Sequence, residues 1–279
     1  MTNKKPKWKL KKWINKEKLN WFCLSCNPNA INFIEEEIEN NDNDENKINW
    51  SLLSQNPNAI SLLEKNQDKI DWRSLSTNPN AISLLETNKD KIDWSYLCLN
   101  PNAIKILEEN RDKINWSFLS SNSNAISLLE TNQDKIDWSY LSLNPNILHF
   151  LINQTISHDK IDWFNLSINK NAIQILEAEY KRSNNKINWI YLSANPNAMN
   201  IINNEYEYEC ENKSSKINWT ALSCNSNAID LLMENQNKIN WFLLSQNPNA
   251  IELLEKKQTK INYDCLSLNP SIFELIYED

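Results

Sequence analysis

The chain has 279 residues, 41% of them hydrophobic, with a formal net charge of −7, no Gly and six Cys. That acidic balance argues against nucleic acid as the main partner. No run of 18 apolar residues and no apolar stretch behind the basic start is present, which argues against a membrane-spanning helix and a secretory signal. The six Cys (Cys23, Cys26, Cys98, Cys210, Cys224, Cys265) follow no common spacing, so a reduced state is expected rather than a disulfide framework.

Residues 1–17 form a basic segment whose lysines belong to a run from Lys4 to Lys18. Trp8, Leu10, Trp13 and Ile14 lie among those lysines, and we expect them to form a capping helix over the exposed core of the first repeat, as terminal repeats require. The alternative is an arm for nucleic acid or an anionic membrane. The remainder, 18–279, is acidic and repetitive.

Its unit recurs eleven times, anchored at Trp21, Trp50, Trp72, Trp94, Trp116, Trp138, Trp163, Trp189, Trp219, Trp241 and Tyr263. Six of the ten intervals are 22 residues and the others are 25, 26, 29 and 30. A fixed core with length added between units places residues 39–46, 152–159, 178–185 and 203–215 in surface loops. With the aromatic anchor as position zero, position three is always Leu, and positions ten and thirteen are mostly Ile and Leu. These spacings are helical. Asp or Asn before the anchor is an N-cap for a first helix, helix A, of about six residues. Asn at position six, followed in eight units by Pro, reads as the N-cap of a second helix, helix B. Helix B should end at an Asn such as Asn66, Asn88, Asn110 or Asn132, taking the left-handed cap that Gly usually fills. Helices this short are unstable alone, so the units must stack. The predicted fold is all-α: an α-solenoid of eleven two-helix repeats, part α and part 3-10.

The recurring stretch Asp-Trp-x-x-Leu-Ser-x-Asn-Pro-Asn-Ala-Ile-x-Leu-Leu-Glu resembles the tandem repeat proteins of giant DNA viruses related to mimivirus. The match covers 18–279, and the richness in Asn, Ile and Lys without Gly or Val fits their AT-rich genomes. The resemblance implies a viral source, in host cytoplasm or virion and not secreted, rather than an activity. More distantly, the Asn-Pro-x-Ala spacing is similar to leucine-rich variant repeats, which stack α and 3-10 helices without strands.

Several periodic features invite functional readings. The Asn series at position six is read as capping with hydrogen bonds between units, and the Trp series as solenoid core rather than a stacking platform for bases or sugars. The Lys three places before each anchor is expected to pair with Glu at position fourteen, at little energetic gain. Cys23-x-x-Cys26 lacks further ligands for a metal site. His149 and His158 join no catalytic set, and no phosphate loop or paired-carboxylate motif is present, so neither catalysis nor a cofactor is expected. Positions one, two and five of helix A vary most. In the middle repeats they become apolar: Tyr96, Leu99, Phe118, Tyr140, Leu143, Phe164, Ile168 and Tyr191. An exposed aromatic row of this kind suits a protein partner. The sequence therefore points to a non-enzymatic protein-interaction scaffold. The alternatives are a structural or virion-associated protein of a giant virus particle, or nucleic-acid or anionic-surface binding through Lys4–Lys18.

Overall fold

The computed structural model describes residues 5–40, 47–152, 158–182, 185–212 and 215–278. They divide into two compact units, Met1–Asn102 with Trp241–Asp279, and Ala103–Asn240. Both consist of the same repeat, so the all-α solenoid of short helix pairs is the architecture observed.

Helix A begins at the anchor in every repeat and spans four to six residues, as in Trp72–Ser76 and Trp138–Leu143. The preceding Asp or Asn caps it: the Asp71 carboxylate accepts from the Ser74 amide at 2.7 Å. The Leu at position three has no exposed surface in any repeat. Position four then joins neighbours. Ser54 donates its hydroxyl to the Trp50 carbonyl at 2.7 Å and accepts the amide of Asp71, the cap of the next helix A, at 3.1 Å. Ser76 and Ser120 do the same toward Asp93 and Asp137. One hydroxyl thus ties the end of one helix to the start of the next.

The Asn at position six completes the junction. Asn78, with no exposed surface, donates its carboxamide to the carbonyls of Ser54 and Asn56 in the preceding repeat, both at 2.9 Å. Its oxygen accepts the amide of Asn80 within its own repeat at 3.0 Å, and Asn80 in turn donates to the Pro57 carbonyl at 2.8 Å. The pattern recurs at Asn144, Asn169, Asn195 and Asn225 in the second unit. Asn-Pro-Asn therefore forms a tight turn stapled to the turn before it. The α-helical part of helix B starts later than expected, at Ile60 or Ile82 for example, with Ala at the boundary and no side-chain cap, whereas at Pro196–Ala198 and Pro248–Ala250 a 3-10 turn capped by Asn195 and Asn247 begins at the expected place and leads into the helix. Every Ala at position nine has no exposed surface, because a larger side chain there would push adjacent repeats apart.

Helix B does not end in a left-handed residue. Asn66, Asn88, Asn110 and Asn132 have φ between −129° and −137°. They close the helix with the side chain instead, Asn66 donating to the Leu62 carbonyl at 2.8 Å. Asn185, with φ 57°, is the one non-Gly residue of positive φ among those described, so the absence of Gly has almost no conformational consequence. A short 3-10 turn such as Gln67–Lys69 then leads to the next anchor, an element that the apolar periodicity does not reveal.

Two of the four expected loops are helical extensions: Ile173–Arg182 and Met199–Asn212 carry helix B through 178–182 and 203–212. Glu179 and Glu205 on these extensions are nearly fully buried. Lys216 lies 3.6 Å from Glu205, whose carboxylate also accepts from Tyr180 at 3.3 Å; burial first, then that carboxylate, pushes the Tyr180 hydroxyl's pKa up. The loops expected at 39–46 and 152–159 lie mostly outside the described residues.

The basic start is a strand, not a capping helix. β1 (Lys5–Leu10) pairs antiparallel with β2 (Phe273–Glu278), Lys9 opposite Glu274 and Leu10 opposite Phe273. The first repeat is not left open, because the last repeat stacks on it with the bonds used at other junctions. Asn27 donates to the carbonyls of Ser267 and Asn269 at 2.9 and 3.1 Å, and the Asn20 amide donates to the Ser267 hydroxyl at 2.8 Å. Ile14, Leu19, Phe33, Ile272 and Phe273 are buried in this unit. Lys7 pairs with Glu36, Lys11 with Glu274 at 3.7 Å and Lys16 with Glu37 at 3.1 Å.

Two predictions follow from these junctions. Replacing Asn144 with Ala orphans the Ser120 and Asn122 carbonyls and should cost about 3 kcal/mol. Asn144→Asp should cost more, because a carboxylate oxygen would then face those carbonyls; thermal melts in which Asp is tolerated as well as Asn contradict the ladder. Deleting residues 1–12 strips β2 of its partner and bares Phe33 and Phe273, so the melting temperature should fall and self-association rise. A truncation that melts like the full chain shows that β1 contributes nothing to the stack.

Candidate interaction face

The periodic Trp residues are not fully buried: all eleven anchors are half-buried. At many of them the ring carries the Lys that precedes the next anchor. Lys69 lies 5.2 Å from the Trp50 ring centre, Lys91 4.5 Å from Trp72, Lys135 4.6 Å from Trp116 and Lys238 4.1 Å from Trp219. Lys18 covers Tyr263 in the same way at 5.3 Å, across the junction of first and last repeats. These Lys thus make cation–π contacts, each contributing about 0.5–1 kcal/mol, and Lys216 and Lys238 also pair with Glu205 and Glu209 on the extended second helices. Glu35, at position fourteen of the first repeat, lies 4.0 Å from Lys65.

The helix A face divides by position. Position two lies between neighbouring repeats and is half-buried where it carries Tyr96, Phe118, Tyr140 or Tyr191. Phe118 and Tyr140 pack with ring centres 5.5 Å apart, and the Arg73 guanidinium covers Tyr96 at 4.2 Å. Positions one and five are exposed in some repeats and half-buried in others, as at Ser95 and Leu99. Phe164 is 51% exposed and Ile168 42%, and Leu143 is also exposed. Phe164 meets Tyr191 edge-on with ring centres 4.3 Å apart. Of the eight residues singled out from sequence, Phe118, Tyr140, Leu143, Phe164, Ile168 and Tyr191 fall in the second unit. Tyr96 and the half-buried Leu99 belong to the first.

Sequence reasoning missed Ile190, 56% exposed on the repeat next to Phe164, and Phe22 and Phe242 in the first unit, 56% and 53% exposed. All three occupy position one, so its separation from position two is the signal that was available. The second unit thus presents Leu143, Phe164, Ile168, Ile190 and Tyr191 from three consecutive repeats.

Other chemistry is sparse. Burial raises the pKa of the thiols Cys23, Cys26, Cys224 and Cys265, which disfavours the nucleophilic thiolate. Among the described residues no group of three or more His, Cys, Asp or Glu is arranged to hold a metal ion. His149 pairs with Glu130 at 2.6 Å on the surface, and the His158 side chain lies outside the described residues. No described helix is long and apolar enough to cross a membrane. No family model matches the chain, nor does any curated protein or solved structure.

Proposed function

We propose that the chain is a non-enzymatic scaffold that binds a protein partner through the helix A face of its second unit. The observation that carries this reading is the apolar group of Phe164, Ile168 and Ile190, each more than 40% exposed, beside Leu143 and Tyr191. Fold stability does not require these side chains to be apolar, since position one is Ser in several other repeats, as at Ser95, Ser117 and Ser139. A contiguous exposed patch with aromatic members is the usual core of a protein interface. The sequence resemblance extends the proposal to a giant-virus source, with action in host cytoplasm or in the particle. Binding of nucleic acid through the first residues is disfavoured because Lys7, Lys11 and Lys16 already face carboxylates and Lys18 faces a ring.

The test is capture of binding proteins by the immobilised full chain, followed by affinity measurement on each purified partner. Phe164→Ser combined with Ile190→Ser should weaken binding at least tenfold, as loss of interface anchors does. The same change should shift stability by less than about 1 kcal/mol, because both sites are exposed. Partners bound equally well by the double variant would refute the assignment of the face.

A further inference from the structure

The apolar patch of the second unit carries a local charge opposite to that of the chain, whose formal net charge is −7. Positions one, two and five of helix A hold no charged residue in any repeat from Trp116 to Trp219. Two lysines border Phe164 and Ile168. Lys170 lies just past Ile168, in the turn that follows the helix Trp163–Ile168. Position seven of that turn is Pro in eight repeats, and this is the one repeat in which it is Lys. Lys186 reaches back from the next repeat to lie 5.2 Å from the centre of the Trp163 ring, beside Phe164. It also leads into the helix Trp189–Ala194, which carries Ile190 and Tyr191.

Neither ammonium is neutralised from within. Both lysines are exposed and pair with no carboxylate among the described residues. Asp162, the acid that precedes the Phe164 helix, is committed to local bonds: its oxygens accept the amides of Phe164 and Asn165 at 3.0 and 3.1 Å and the Ser139 hydroxyl at 2.6 Å. Glu177 and Glu179 belong to helix B. In the following repeat the cap is Asn188 rather than Asp, so Lys186 lacks the carboxylate that Asp137 and Asp162 place just after Lys135 and Lys160. Lys216, over Trp189, already pairs with Glu205 at 3.6 Å. The result is an uncharged apolar strip with an unpaired cation at each end of the helix that carries Phe164 and Ile168.

We infer that the partner of this face is an amphipathic protein segment whose apolar residues cover Phe164, Ile168 and Ile190 and whose flanking acidic residues meet Lys170 and Lys186; this rests on the reading of the helix A face given above. A cation covered at the edge of an apolar contact without a counter-charge is costly. A basic segment is therefore disfavoured, and a neutral one gains nothing from the two ammonium groups. Acidic flanks pair with both lysines and steer the encounter. Net charge alone would favour a basic segment, so a preference for an acidic one reports these two lysines rather than the chain as a whole.

Two synthetic amphipathic peptides that share one Leu-rich face and carry either Glu or Lys on its flanks provide the test, with binding to the full chain read by fluorescence anisotropy. The Glu peptide should bind at least tenfold tighter at about 50 mM salt and lose most of that advantage at about 500 mM, where exposed charges are screened. Lys170→Glu combined with Lys186→Glu should reverse the preference while leaving the thermal melt near that of the parent, since both side chains are exposed. Phe164→Ser combined with Ile190→Ser should weaken the Glu peptide at least tenfold. Equal binding of the two peptides, or a preference for Glu that survives the lysine reversals, overturns the acidic partner and leaves the face itself standing. Binding that survives the Phe164 and Ile190 changes places the peptide elsewhere and overturns the face as well. Binding of phosphatidylglycerol vesicles but of neither peptide assigns the lysines to an anionic membrane and overturns the acidic partner, as does binding of neither peptide nor vesicle.

Discussion

The buried carboxamide at position six is the interaction on which the rest of the array depends. Short helices leave many backbone carbonyls without intrahelical partners, and stacking them buries those groups away from water. Each unsatisfied buried carbonyl would cost about 1–3 kcal/mol. Asn is the one side chain of this length with two amide hydrogens and an acceptor oxygen on the same planar group. At Asn144 the two hydrogens serve the carbonyls of Ser120 and Asn122, and the oxygen serves the amide of Asn146. Gln is too long for the turn, Asp lacks the donors and Ser lacks the reach. Capping alone would have accepted Ser or Asp, and neither occurs at this position.

Once this turn is fixed, the neighbouring positions are constrained. The separation between repeats is set by a side chain that must touch two carbonyls at about 2.9 Å, which leaves room for Ala but seldom for more at position nine. Ser at position four completes the contact by carrying one hydroxyl between two backbone groups. Cys98 takes that place in one repeat, its thiol donating to the Trp94 carbonyl at 3.2 Å, a weaker bond in a slot of the same shape. Length beyond the end of helix B does not disturb these contacts. The chain can therefore extend a helix to Arg182 or Asn212 without altering the stack.

Much of this was legible because the repeat averages out local noise. The anchor, the Leu at position three and the Asp or Asn caps fixed helix A within a residue or two. Asn-Pro is a good helix start on local grounds, yet in most repeats the α-helix begins three residues after Pro, because the Asn amide hydrogens hold the turn to the preceding repeat while its oxygen serves the amide two residues on. Such a commitment is a tertiary fact that no single unit contains. The same reason hid the Lys–Trp contacts: Lys69 is three residues before Trp72 in sequence but stacks on Trp50. The terminal strands were illegible for a further reason. Lys5–Leu10 alternates basic and apolar residues over six positions, too short a run to separate strand from helix, and its partner lies more than 260 residues away.

The candidate face shows how far periodicity separates structure from function. Positions three, four, six and nine are nearly invariant among the repeats, since each must satisfy the same junction. Position one has no contact that recurs in every repeat, and its occupants run from Ser51, whose hydroxyl meets that of Ser74 at 2.9 Å, through Arg73 to Phe164 and Asp264. Freedom from the fold explains variety but not a clustering of large apolar residues, because water favours polar side chains at sites exposed by half. Apolar exposure at Phe164 and Ile190 adds a risk of association, which the proposed partner would remove by covering it. Position two supports the same face from beneath, with Tyr191 holding the Phe164 ring edge-on. That contact restricts the ring before any partner arrives and lowers the ordering cost of binding.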